Sequence, residues 1–226
     1  ESSQLLLKPY LRGRDIKKWN VQATDLWLIF TRRGTDISQY PAIERHLEQF
    51  KERLLPKPSG WPKSKPWKGR KPGSYQWFEI QDNVAYWEEF EVPKIVYQEI
   101  ATFQSFAWDS GGLYCNNKIF IIPSSDLFLL GLLNSKLVWF FLSQTVSKLR
   151  GGAYAMQLPY IEQIPVPDGK ERAEIAALVQ ALLARKAAGG DVADLEAAIE
   201  GAVCRLLGVG AGEIGMVERQ RTGTRQ

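Results

Sequence analysis

Residues 114–167 read YCNNKIFIIP and then SSDLFLLGLLNSKLVWFFLSQTVSKLRGGAYAMQLPYIEQIPVP, and this stretch decides the fold. The run from Lys118 to Ile122 is β-branched and apolar. It stops at Pro123, which has no N–H to give to a ladder, so a strand is expected to end there. Asp126 stands where a helix N-cap belongs, and apolar residues recur at Leu127, Leu130, Leu133, Leu137, Phe140 and Phe141 with helical spacing. Gly151 and Gly152 end that pattern, and the chain is expected to return through two prolines into a second short strand, Ile161 to Val166. The result would be a scaffold of strand, buried helix, glycine corner and return strand, with no catalytic set on it.

The apolar run Leu127 to Val146 is interrupted by Asn134, Lys136, Ser143 and Gln144, which favours a buried helix pair over a membrane span. Upstream, Lys94–Ala101 and Gln104–Trp108 read as strands. The turn Asp109-Ser110-Gly111-Gly112 is expected to join the latter to the strand before Pro123 as a hairpin. Trp27 to Phe30 is a further strand. Tyr40 to Leu55 reads as a helix with Pro41 in its first turn and Ile43, Leu47, Phe50 and Leu54 facing a core. His46, on the charged side of that helix, is the single histidine and has no Ser, Cys or metal-ligand partner at suitable spacing.

Downstream of Pro167 the chain turns Ala-rich. Ile175, Leu178, Val179, Leu182 and Leu183 make one stripe on a helix from about Lys170 to Ala188, which Gly189-Gly190 ends. Asp191 caps a second helix carrying Leu195, Ile199, Val203 and Leu206, stopped at Gly208. A third short helix over 212–218 and a basic tail follow. The fold class is therefore α+β: a mixed sheet with buried helices over residues 1–168, followed by a helical extension over 169–226.

Composition excludes several function classes. The 226 residues are 45% hydrophobic and 24% charged, which suits a folded domain rather than a disordered chain. Cys115 and Cys204 are far apart and without CxxC spacing, so neither a disulfide framework nor a zinc site is expected. No metal or cofactor ligand set and no nucleophile–base pair is present, and a cytoplasmic location fits. The sequence opens on Glu1 and is expected to be a fragment of a longer protein.

The net charge of +4 matters less than its placement. Residues 56–78, PKPSGWPKSKPWKGRKPGSYQWF, hold too many prolines and glycines for a regular element. Lys57, Lys63, Lys65, Lys68, Arg70 and Lys71 follow one another with no Asp or Glu before Glu79, and Trp61, Trp67, Tyr75 and Trp77 are interleaved. Cations between flat aromatic faces suit a phosphate backbone with stacked or groove-facing bases. The same loop could instead be pinned by its tryptophans to the domain's own core, and both can hold at once. Arg12, Arg14, Lys17 and Lys18 crowd a turn that ends at Trp19; it reads as a solvated loop or a phosphate contact. Lys148, Arg150, Gly151, Gly152 and Tyr154 set two cations and an aromatic beside a permissive backbone, or mark a plain corner.

The order of several short motifs resembles the C-terminal target-recognition (specificity) domain of TaqI-like adenine-N6 DNA methyltransferases, a family that includes fused type IIG restriction-modification enzymes. The motifs are Leu11-Arg12-Gly13-Arg14-Asp15-Ile16, Pro93-Lys94-Ile95-Val96-Tyr97, Leu130-Gly131-Leu132-Leu133-Asn134-Ser135-Lys136-Leu137, Gly151-Gly152 and Ile164-Pro165-Val166-Pro167. Residues Leu195 to Val217 resemble the family's terminal helices, with Cys204 and Arg205 where aromatic and acidic residues are more usual. The resemblance implies recognition of a short double-stranded DNA sequence for a separate, covalently linked domain that binds S-adenosylmethionine and flips out adenine. The Asn-Pro-Pro-Tyr tetrapeptide of such a catalytic domain is absent, so this fragment is expected to be inert alone.

The three basic stretches are then expected to line one DNA cleft, with Arg70, Arg150, Gln76 or Gln157 reading base edges. Two other readings compete. A type I specificity subunit would carry longer coiled-coil helices, and a protein-interaction module would bind no duplex at low salt.

Overall fold

The computed structural model describes residues 2–22, 25–210 and 213. In chain order the strands are β1 (Leu7–Leu11), β2 (Trp19–Asn20), β3 (Trp27–Ile29), β4 (Lys94–Gln98), β5 (Ile100–Ala101), β6 (Ala107–Asp109), β7 (Tyr114–Cys115), β8 (Ile119–Ile122) and β9 (Tyr154–Ala155). The α-helices are α1 (Pro41–Glu48), α2 (Lys51–Leu54), α3 (Leu127–Leu133), α4 (Lys136–Thr145), α5 (Leu158–Ile161), α6 (Glu171–Ala187) and α7 (Ala193–Leu207). This is a mixed α+β fold, and it divides into two units.

Unit 1 gathers residues 1–10, 24–91 and 112–114. Its sheet runs β3-β1-β7, with β1 and β3 antiparallel and Lys8 opposite Leu28. Leu6, Ile37 and Ile43 are buried together, and Phe30, Phe90 and Tyr114 form an aromatic group with centroids 4.7–4.8 Å apart. The helix expected over 40–55 starts at Pro41 but breaks at Gln49-Phe50, giving α1 and α2. Phe50 is exposed, set edge-on to His46 5.4 Å away instead of entering the core.

Unit 2 gathers residues 11–23, 92–111 and 115–226. Its four-stranded sheet has the order β2-β6-β4-β8, parallel between β2 and β6 and antiparallel elsewhere. The hairpin expected between residues 104–108 and 118–122 does not form, because β4 lies between β6 and β8 and pairs with both.

Asp126 caps α3 by accepting the Phe128 N–H at 2.9 Å, as its position suggests. The following helix breaks at Asn134-Ser135, where α3 and α4 meet with a 60° bend. The cause is local. Buried Asn134 donates its amide to the Phe106 carbonyl at 2.8 Å and accepts the Phe106 N–H, while Ser135 Oγ accepts the Val138 N–H and starts α4. No single helix among the described residues is long and apolar enough to cross a membrane.

The return strand expected over 161–166 is replaced by α5 and a turn. Pro159 sits in the first turn of α5, where a missing N–H is harmless, and Ile161 and Ile164 are both buried at helical spacing rather than alternating. The C-terminal hairpin α6–α7 forms as expected, ending in left-handed Gly208. Its inner face packs on the earlier elements of unit 2. Ile175, Val179, Leu182, Ile199 and Val203 share one core with Leu130, Leu132 and Trp139. The third helix expected over 212–218 and the basic tail lie outside the described residues, Glu213 aside.

Candidate nucleic-acid interface

The loop over 56–78 belongs to unit 1, and it is ordered from within by Arg70. The Arg70 guanidinium donates to four backbone carbonyls, those of Leu54 (2.6 Å), Glu79 (2.7 Å), Trp77 (2.8 Å) and Gln76 (3.3 Å), and lies 4.5 Å over the Tyr75 ring. Burial lowers its pKa from the usual arginine value. The Trp67 indole donates to the Arg70 carbonyl and that of Trp61 to the Lys65 carbonyl, each at 3.0 Å, and the two rings meet edge to face. Tyr75 donates its hydroxyl to the Lys71 carbonyl. The buried Glu79 carboxylate accepts the Gly34 and Gln76 N–H groups at 2.8 Å.

The sequence offered two readings of this loop, pinned or outward-facing, and its side chains divide between them. Arg70, a proposed reader of base edges, spends its donors inside the loop. Lys57 is half-buried, its N–H on the Arg70 carbonyl. Lys63, Lys65, Lys68 and Lys71 are exposed and pair with no carboxylate among the described residues. Trp77 is half-buried beneath Lys51, whose Nζ lies 4.6 Å from the ring, and Gln76 is exposed.

The turn after β1 belongs to unit 2. Arg12 is held by Asp15 through two hydrogen bonds of 2.8 and 2.9 Å, and Asp15 also accepts the Arg12 N–H. The Arg12 side chain therefore holds the Asp15 carboxyl below the ordinary carboxylate value. Lys17 donates to the Arg14 carbonyl at 2.8 Å. Lys18 pairs with Glu196 of α7 at 3.1 Å, and the Trp19 indole donates to that same carboxylate. Trp19 is buried with φ at +79°, a strained position for a residue with a side chain, and its N–H is held by the Phe106 carbonyl at 2.9 Å. Arg14 points to solvent.

The glycine corner, also in unit 2, is a tight turn in which the Gly152 N–H reaches the Leu149 carbonyl and the Leu149 N–H reaches that of Ala153. Gly151 and Gly152 have φ of +89° and +80°, which only glycine adopts without strain. Lys148 lies 5.8 Å over Tyr154, which is buried edge-on against Trp139, while Arg150 is fully outward. Gln157 is exposed at the start of α5. Turn and corner are both tied to one segment: Gln98 donates to the Ile16 carbonyl, and β5 pairs with β9.

One arrangement in unit 1 escaped sequence reasoning. A cleft of about 590 Å³ is lined by Phe30, Tyr40, Trp87 and Tyr114 together with Lys8, Arg32 and Arg33. Arg32 is stacked on Trp87, 4.3 Å from ring centroid to guanidinium carbon. The two residues are too distant in sequence for any local pattern to join them.

The fold is shared with the type IIL restriction-modification enzyme MmeI, whose structure in complex with DNA matches with a TM-score of 0.62 at 16% identity. The match covers 99% of this chain and 32% of MmeI, so the chain spans about a third of that protein's length. The type IIG restriction endonuclease BpuSI matches less well, with a TM-score of 0.48 at 11% identity over 90% of this chain and 26% of BpuSI. No curated protein matches in sequence. Residues 8–166 match the model of the TaqI-like C-terminal specificity domain, and the chain belongs to that family.

Proposed function

We propose that this specificity domain binds a short duplex DNA sequence and presents it to a linked adenine-N6 methyltransferase domain, which holds S-adenosylmethionine and flips out the target base. A fused nuclease, as in type IIG enzymes, is compatible with this reading. The observation that carries it is the basic loop of unit 1. Its backbone is fixed by Arg70, while Lys63, Lys65, Lys68 and Lys71 stand exposed and pair with no carboxylate among the described residues. Unpaired lysines on a rigid frame neutralise phosphates without first breaking internal ion pairs. Arg14, Arg150 and Lys148 add exposed cations in unit 2.

The test is duplex binding by the chain with all four lysines changed to alanine, measured against salt. The slope of log affinity on log salt should fall by about 3.6, or 0.9 for each lost phosphate contact. An unchanged affinity and slope would remove the loop from the interface.

A further inference from the structure

Three cations of unit 1 near this cleft or its loop are already committed. Lys8 pairs with Glu91 at 2.7 Å, Arg33 donates to the Ile80 and Gln81 carbonyls and pairs with Glu79, and Arg70 is consumed inside its loop. Arg32 is different. Its side chain is exposed, donates no hydrogen bond and pairs with no carboxylate among the described residues. It lies over the Trp87 face, and its charge acts on the Tyr114 hydroxyl across the cleft.

The mounting of Arg32 is rigid. Before it, buried Thr31 donates its hydroxyl to the Phe78 carbonyl and accepts the Ile80 N–H on its own carbonyl. After it, Arg33 is fixed as described, and the Arg32 carbonyl itself accepts both the Thr35 N–H and hydroxyl. The Trp87 ring backs the guanidinium, whose carbon lies 4.3 Å from the ring centroid, and the guanidinium donates no hydrogen bond among the described residues. A planar fork held in place with unspent donors matches the O6 and N7 acceptors that guanine shows in the major groove. A phosphate would be served equally by the exposed lysines of the basic loop, which need no such support.

We propose that Arg32, stacked on Trp87 at the mouth of this cleft, is a specificity-determining residue that reads one guanine of the bound duplex. The assignment rests on the reading of the domain as a sequence-specific DNA binder. It concerns a residue outside the three basic stretches, so it can fail while that reading stands.

The test selects bound duplexes from a randomised pool with the full chain, with Arg32→Ala and with Arg32→Lys, and sequences them. Thermal melts check that each variant is folded. Both variants should lose the preference for guanine at one position by between about 5- and 150-fold, the discrimination of one bidentate pair, with other positions unchanged. Lysine keeps the charge but not the fork, so it should not restore the preference.

If Arg32→Ala instead weakens all duplexes equally and Arg32→Lys restores them, Arg32 is a phosphate contact and the assignment is overturned. If the variants select the same sequence as the unaltered chain, the assignment fails while sequence recognition stands. If the unaltered chain selects no sequence at all, both the assignment and the reading beneath it fall.

Discussion

Lys94 Nζ lies 2.5 Å from Asp109 Oδ2, and both side chains are almost wholly removed from solvent, at 0% and 3% exposure. They face each other across β4 and β6, in register as a cross-strand pair. A buried pair of this kind is weak evidence for stability but expensive to break from one side. Asp109→Ala should therefore destabilise the protein by about 3–5 kcal/mol in urea unfolding, whereas joint replacement by Met and Leu should be neutral or stabilising. Cys115 reports on the same region. Burial pushes its thiol up to about 12, with Asp109 adding to the shift and Lys94 opposing it. It should resist alkylation at neutral pH until the protein unfolds.

Gly131 is where α3 meets α6. A methyl group there would lie 2.6 Å from Ile175 Cγ2 and 2.9 Å from Val179 Cγ2. Gly131→Ala should cost about 1–3 kcal/mol by overpacking, measured by denaturant midpoint. Adding Ile175→Ala should recover part of that loss if the clash is the cause; a purely additive double variant would show that it is not.

The structural and exposed cations of the basic loop should separate experimentally. Arg70→Ala, and Arg70→Lys nearly as much, should destabilise the protein by about 1.5–3 kcal/mol, the worth of a hydrogen bond to a charged group. Either change should make residues 56–78 sensitive to protease. The lysine-to-alanine variants at 63, 65, 68 and 71 should leave stability within about 0.5 kcal/mol, as surface changes do. Equal protease resistance in the Arg70 variants would show that the loop is ordered by something else.

Glu196 makes one contribution to stability pH-dependent on the acid side. Burial alone would raise its carboxyl, but the Trp19 indole and the Lys18 ammonium outweigh burial and lower it below its ordinary 4.5. A depressed carboxyl stabilises the folded state above the unfolded value, and that stabilisation is lost as pH falls through the folded one. The stability gap between the unaltered chain and Glu196→Gln should be constant near neutrality and shrink below about pH 4.5. Glu200, one turn along α7, shifts upward because burial dominates there, so the difference curve is needed to isolate Glu196. A gap that widens toward acid would contradict the assignment.

What the sequence made legible was local chemistry. Asp126 as a cap, Pro41 at a helix start and the Gly189-Gly190 and Gly208 stops depend on a few adjacent residues, and each stands as read. The order of recognition motifs was also readable, since it survives without knowledge of contacts. Non-local competition was not. The Asp109–Gly112 turn has hairpin chemistry, but β4 offered β6 and β8 a better partner than each other. Ile161 and Ile164 look like a strand until Pro159 opens a helical turn before them. In the candidate site, the row of cations was visible but not their bonds. Arg70 stood out from its lysine neighbours only as a reader of base edges, not as the residue that orders the loop, and Arg32 gained its interest from Trp87 on a distant segment.

The glutamate of α7 that receives both Lys18 and Trp19 has a practical bearing on chimeras. The family match closes at residue 166, which would be a natural seam for transplanting specificity into another enzyme. A graft cut there would leave behind Glu196 along with Ile175, Val179 and Leu182, each with no solvent exposure. It would also lay open the face of α3 at Gly131 and leave Trp19 held at its positive φ without its indole partner. The transferable module ends after Leu207, where Gly208 turns the chain out of α7.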